Sequence, residues 1–138
     1  MKRFLILLIL CILTLNVMAC NEGIKLITSI KQTIIQGIDT SKPYTKYLFE
    51  IALDNTVDIS VDSVIVYGSG RCLKVNHYLS KSTTQNRLTL DVSLSEGNYE
   101  ELINCNGSSE KVVIHYKVNN KSGKLKVSSF KEETIRRR

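Results

Sequence analysis

Four cysteines, two histidines and a scatter of carboxylates and serines are what this 138-residue chain has for covalent, metal or acid–base chemistry. The cysteines are Cys11, Cys20, Cys72 and Cys105. A redox role needs close thiol spacing or a perturbed thiol, and the chain contains no CxxC. A zinc or copper site needs ligands at short fixed spacing, whereas His77 and His115 each stand alone inside an alternating segment. Nucleophilic catalysis needs a positioned nucleophile with a base in reach, and there is no nucleophile elbow among the many serines. Asp54, Asp58, Asp62, Glu100 and Glu101 lie where turns and solvent faces account for them. Walker loops and dinucleotide fingerprints are also missing. The expectation is therefore a non-enzyme with no metal and no cofactor. Of the side chains left, the six tyrosines Tyr44, Tyr47, Tyr67, Tyr78, Tyr99 and Tyr116 would suit recognition of protein or glycan if they gathered on one sheet face. Core and rim packing accounts for most of them otherwise.

Cysteine counting depends on the amino terminus. Met1-Lys2-Arg3 is a short cationic start, and Phe4 to Leu15 is an uninterrupted run of twelve apolar or near-apolar residues. A spanning helix needs about 20 apolar residues, so the run has the length of a signal h-region and residues 1–19 read as a signal peptide. Cys11 leaves with it. Three cysteines remain, an odd number for an oxidising compartment.

At the end of the signal stands Val17-Met18-Ala19-Cys20, which resembles the lipobox of bacterial lipoproteins. The resemblance covers these four residues and the apolar run before them. It implies acylation of the Cys20 thiol, cleavage between Ala19 and Cys20, and palmitate-type chains that hold the protein to a bilayer without spanning it. Asn21 after the cysteine implies, by the same resemblance, outer-membrane rather than inner-membrane delivery in the bacterial envelope. Ordinary secretion remains an alternative, because Val17 and Ala19 also satisfy the small-residue cleavage rule and would leave Cys20 free or intermolecular. A secreted eukaryotic glycoprotein is another, on the sequons Asn106-Gly107-Ser108 and Asn120-Lys121-Ser122. If Cys20 is acylated, Cys72 and Cys105 form an even pair. They enclose 34 residues counting both ends, for which chain entropy gives a disulfide about 3 to 4 kcal/mol of stabilisation. Such a bond would pin the Gly68-Ser69-Gly70 turn to the loop from Asn104 to Ser109.

Without its first nineteen residues the chain keeps 17 basic and 13 acidic residues, a mild net charge of +4. Lys and Arg are interleaved with Asp and Glu along the sequence, apart from Arg136, Arg137 and Arg138. No long cationic stripe points to nucleic acid. About 119 residues make one domain with one core.

Period-two alternation organises the rest. Tyr47, Phe49, Ile51 and Leu53 alternate with more polar neighbours. So do Leu88, Leu90, Val92 and Leu94, and again Val112, Ile114, Tyr116 and Val118. Each reads as a half-buried strand. Further strands are expected at Val57 to Tyr67, Arg71 to Lys81 and, after a connection through Asn119 to Gly123, Lys124 to Lys131. Ile24 to Gly37 also fits a helical spacing, but its β-branched content favours strand. Asn98 with Glu101 three residues on looks like a capped helical turn. The expected fold is all-β: an immunoglobulin-like antiparallel β-sandwich of about seven strands with one short helical turn, similar in architecture to immunoglobulin-like folds. Residues 1–19 are the signal, 20–23 a lipidated tether, 24–131 the sandwich and 132–138 a basic tail. The expected role is a non-catalytic binding or accessory lipoprotein of the bacterial cell envelope, membrane-held through Cys20 and presenting a surface to a protein partner. The alternative is a glycan or small-molecule binder.

Overall fold

The structure is a computed structural model, which describes residues 23–37, 41–54, 58–82 and 85–138. The signal segment, Cys20 and most of the tether lie outside the described residues. The chain is an all-β sandwich of two five-stranded sheets, with no helix among the described residues. Sheet A holds β1 (Ile24–Gln36), β2 (Tyr44–Leu53), β5 (His77–Ser82), β6 (Arg87–Ser93) and β10 (Lys131–Arg137) in the order β10-β1-β2-β6-β5. Sheet B holds β3 (Ile59–Gly68), β4 (Arg71–Val75), β7 (Tyr99–Glu101), β8 (Lys111–Val118) and β9 (Lys121–Val127) in the order β7-β4-β3-β8-β9.

The alternating residues close the core from both sides. Phe49, Leu90 and Val92 from sheet A meet Val64, Val112 and Ile114 from sheet B, all buried in one cluster. Phe130, on the crossing from β9 to β10, sits 5.1 Å from the Tyr47 ring and 6.3 Å from the Phe49 ring. Each apolar side chain taken from water contributes roughly 1.5 to 3 kcal/mol.

Ten strands replace the seven expected, for three local reasons. The run from Arg71 to Lys81 is two strands: β4 belongs to sheet B and β5 to sheet A. Both keep one inward parity, Leu73 and Val75 then His77 and Leu79, so the change of sheet at Asn76 leaves no break in the alternation. The helical turn at Asn98 is not formed, because Tyr99–Glu101 pairs with β4 as β7 and so occupies the hydrogen-bonding edge of Leu73, Lys74 and Val75. Asn98 ties the crossover instead of capping: its side-chain amide donates to the Ser93 carbonyl at 2.5 Å, and its own carbonyl accepts from the Asn76 N–H at 3.0 Å. The basic tail is the third correction. Residues Lys131 to Arg137 form β10, parallel to β1 from Ile30↔Lys131 to Gln36↔Arg137, so the sandwich runs to the end of the chain.

Two tight hairpins orient sheet B. Ser69 and Gly70, both with positive φ, join β3 to β4, and Asn119 and Asn120, with φ of 49° and 65°, join β8 to β9. Positive φ at both central residues is the requirement of a type I′ turn, whose twist matches that of the strands. The second connection is thus two residues long rather than the expected five, and Gly123 lies within β9 opposite Tyr116.

Candidate binding face

Cys72 and Cys105 are joined, with Cα atoms 6.0 Å apart. The bond fastens the β3–β4 turn to the 104–109 loop, as expected from sequence. The Leu102 N–H donates to the Cys72 carbonyl at 2.8 Å and the Gly70 N–H to the Gly107 carbonyl at 3.0 Å. Arg71 beside it holds Glu101 in a two-pronged contact at 3.2 and 3.0 Å. Hydrogen bonding and then charge from Arg71 keep the Glu101 carboxyl below its usual range. Ile103 projects from this corner, 88% exposed.

The histidines are not brought together: His77 lies on β5 and His115 on β8, in opposite sheets. Among the described residues no group of three His, Cys, Asp or Glu is placed to hold a metal ion, and no charged side chain is buried. The tyrosines do not gather on one face either. Tyr47 is buried in the core, Tyr116 packs partly against it, Tyr78 stands exposed on β5, and Tyr99 lies 5.9 Å below the Arg71 guanidinium.

At the mouth of the core the Tyr47 hydroxyl donates to Glu110 at 3.1 Å, and Glu110 also meets the Lys31 ammonium at 2.8 Å. Burial first, and then the Glu110 charge, push the Tyr47 phenol well above the ordinary phenol range. A separate cleft of about 480 Å³ opens beside the Asn76 crossover, lined in part by Asp62, Lys74, His77 and Glu100.

The two outer faces differ in charge. On sheet A three outward cations have carboxylate partners: Lys46 with Asp91 at 2.7 Å and Arg87 with Glu50 at 2.6 Å across strands, and Lys131 with Glu133 at 3.7 Å along β10. On sheet B the residues out of phase with the core on β8 are Lys111, Val113, His115 and Lys117, and their β9 partners are Lys126 opposite Val113, Lys124 opposite His115 and Ser122 opposite Lys117. Every two-residue step along this hairpin therefore carries one lysine, in the spatial order Lys111, Lys126, Lys124, Lys117. Steps of two residues measure about 6.7 Å, so the four span about 20 Å. Among the described residues none of these four is ion-paired. The Lys111 ammonium lies 4.7 Å from the centre of the Tyr67 ring, its neighbour across to β3. Val113, though on the outer face, is 4% exposed, which is what long lysine stems laid along a sheet achieve.

The chain sequence hid this row. Its four lysines are interleaved with other residues over sixteen positions, and only the pairing set by the Asn119-Asn120 turn aligns them. No protein-family model matches the chain, and neither a curated protein nor a solved structure matches it.

Proposed function

We propose that the chain is an exported, lipid-anchored, non-catalytic binding module of the bacterial cell envelope, held through acylated Cys20, with the outer face of the β8–β9 hairpin as its binding surface. The observation that carries the reading is the row itself: Lys111, Lys126, Lys124 and Lys117 succeed one another along one hairpin with no carboxylate partner among the described residues, whereas Lys46, Arg87 and Lys131 on sheet A are each ion-paired. The lipobox-like Val17-Met18-Ala19-Cys20 and the apolar run before it support the anchor. An immunoglobulin-like assignment is supported by strand order. Sheet A contains β1-β2-β6-β5 and sheet B contains β3-β8-β9, the A-B-E-D and C-F-G orders of a constant-type domain. Outer-membrane delivery follows from Asn21 under the same lipoprotein reading.

The test is the intact mass of the membrane-extracted protein, together with capture from native membranes. We expect loss of residues 1–19, acyl mass on the new amino terminus and the two-hydrogen deficit of one disulfide. Captured partners should be lost when Lys111, Lys117, Lys124 and Lys126 are all changed to Ser. An unmodified protein free in the medium overturns the anchor, and capture indifferent to the four lysines overturns the binding face. A small-molecule role is the second reading, favoured by the convergence of Asp62, Lys74, His77 and Glu100 on the crossover cleft.

A further inference from the structure

We infer that the lysine row of the β8–β9 hairpin binds a linear acidic polysaccharide, a sugar chain carrying a carboxylate or sulfate at regular intervals. This deepens the reading of that face as the binding surface and rests on it. The geometry supplies the ligand's shape. Lys111, Lys126, Lys124 and Lys117 follow one another along the hairpin, one per two-residue step of about 6.7 Å, with Lys111 at the β3 side over Tyr67. A row of fixed cations is complementary to a chain of repeating anions.

Other occupants fit less of what is present. A flat anionic membrane would press on the whole sheet, where Glu100 stands directly across from Lys74 and Asp62 is exposed at a β3 bulge. A polymer following the hairpin meets no carboxylate: Val113, His115 and Ser122 stand between the lysines, with Ile65 and Ser63 as neutral neighbours on β3. An extended acidic peptide adding to the free edge of β9 would reach Lys124 and Lys126. Lys111 and Lys117, one strand further in, would lie about 10 Å from it, two interstrand spacings away. Edge lysines also guard sheets against unwanted pairing. That purpose accounts for Lys124 and Lys126 on β9, but β8 is an inner strand and needs no guard, so Lys111 and Lys117 are left for the ligand. Chain hydroxyls also find a polar edge beside the row, because β9 is the last strand of sheet B and no further strand pairs with its outer side among the described residues.

The test uses the membrane-extracted protein in detergent and polygalacturonate as probe, with neutral dextran beside it. Affinity for polygalacturonate should fall with salt on a log–log slope of about −3, from four released counterions at about 0.7 each, and each single Lys→Ser change at the row should shallow it by about 0.7. Changing Lys111, Lys117, Lys124 and Lys126 together to Ser should cost more than tenfold. The charge-matched control, with Lys25, Lys42, Lys81 and Lys131 changed to Ser, should bind as the parent does. Equal losses in the two quadruple variants would mean that net charge alone is felt, and would overturn the inference. So would absence of binding, or tighter lysine-dependent binding to polyglutamate or to phosphatidylglycerol vesicles. If polygalacturonate fails while capture from membranes still depends on the four lysines, the ligand class alone is wrong. If neither depends on them, the binding face is wrong as well.

Discussion

Gly107 is buried against the β3–β4 turn, and a Cβ built there would collide with the carbonyl oxygen of Arg71 and come within 2.7 Å of the Arg71 nitrogen. Backbone atoms cannot swing aside as a side-chain tip can, so Gly107→Ala should separate the two segments that the disulfide joins and cost about 1 to 3 kcal/mol by urea unfolding, the usual size of an overpacked site. Gly97→Ala is the comparison: its φ of +81° is strained for alanine but the space is open, so about 1 kcal/mol is expected. Tyr47 gives a pH-dependent counterpart. Its phenol is raised in the folded protein relative to the unfolded chain, so its contribution is complete below the unfolded value of about 10 and is lost as pH rises beyond it, at up to about 1.4 kcal/mol per pH unit. Tyr47→Phe should flatten that alkaline slope in unfolding measured from pH 8 upward; an unchanged slope would assign the alkaline loss to other groups. Neither Gly107 nor Tyr47 carried a distinguishing signal in the sequence, because both depend on which distant segment arrives opposite them.

Strand existence was legible wherever apolar residues alternate, since burial of one face is a local property of the pattern. Partner choice was not. The alternation of Leu73, Val75, His77 and Leu79 is continuous although the chain changes sheets at Asn76, because both sheets face the same core and an extended chain can bend between them without losing parity. Asn98 and Glu101 have the types of a capping box, yet pairing of Tyr99–Glu101 with β4 satisfies three residues' worth of edge backbone and prevails over one helical turn. The lysine row fails to show for a related reason. A connection running from Asn119 to Gly123 would put Lys124 opposite the inward-facing Val118, whereas the two-residue turn puts it opposite His115 on the outer face. Lys131 to Arg137 offers the sharpest measurement at this scale. A solvated basic tail exchanges its amides at once, but a strand in register with Ile30 to Gln36 donates alternate N–H groups to β1. Hydrogen exchange should find protection there that resembles β1 in size, and uniform fast exchange from Lys131 onward would remove β10 from the sandwich. Phe130 anchors the crossing that delivers this strand, and Phe130→Ala should cost about 2 to 4 kcal/mol, somewhat under the roughly 3 to 5 usual for a fully buried aromatic ring because this one is only partly buried.

Seen along its length, the sandwich has two unlike ends. Gly23 enters beside Asp54, which donates its N–H to the Gly23 carbonyl at 3.0 Å, and the Asn119-Asn120 turn closes near Asp58 at that same end. The Cys72–Cys105 bond, the Ser69-Gly70 turn and the Arg71–Glu101 pair lie at the other. A crosslink there closes a loop whose segments belong to β4, β5, β6 and β7, strands of both sheets, so in the unfolded chain it restricts the parts that must find opposite faces of one core. Its removal through Cys72→Ala with Cys105→Ala should lower stability by about 2 to 5 kcal/mol, a large part of the roughly 5 to 15 kcal/mol of a domain this size. The loss should be uneven. Exchange protection should fall first along β4, β7 and the 102–110 loop, while β1, β2 and the half of β8 next to the Asn119-Asn120 turn, held by the core rather than by sulfur, keep theirs up to global unfolding. Uniform loss across both sheets would mean that the bond acts on the unfolded ensemble alone, and no loss at all would mean that the hydrogen bonds from Leu102 to Cys72 and from Gly70 to Gly107 already fix this end without it.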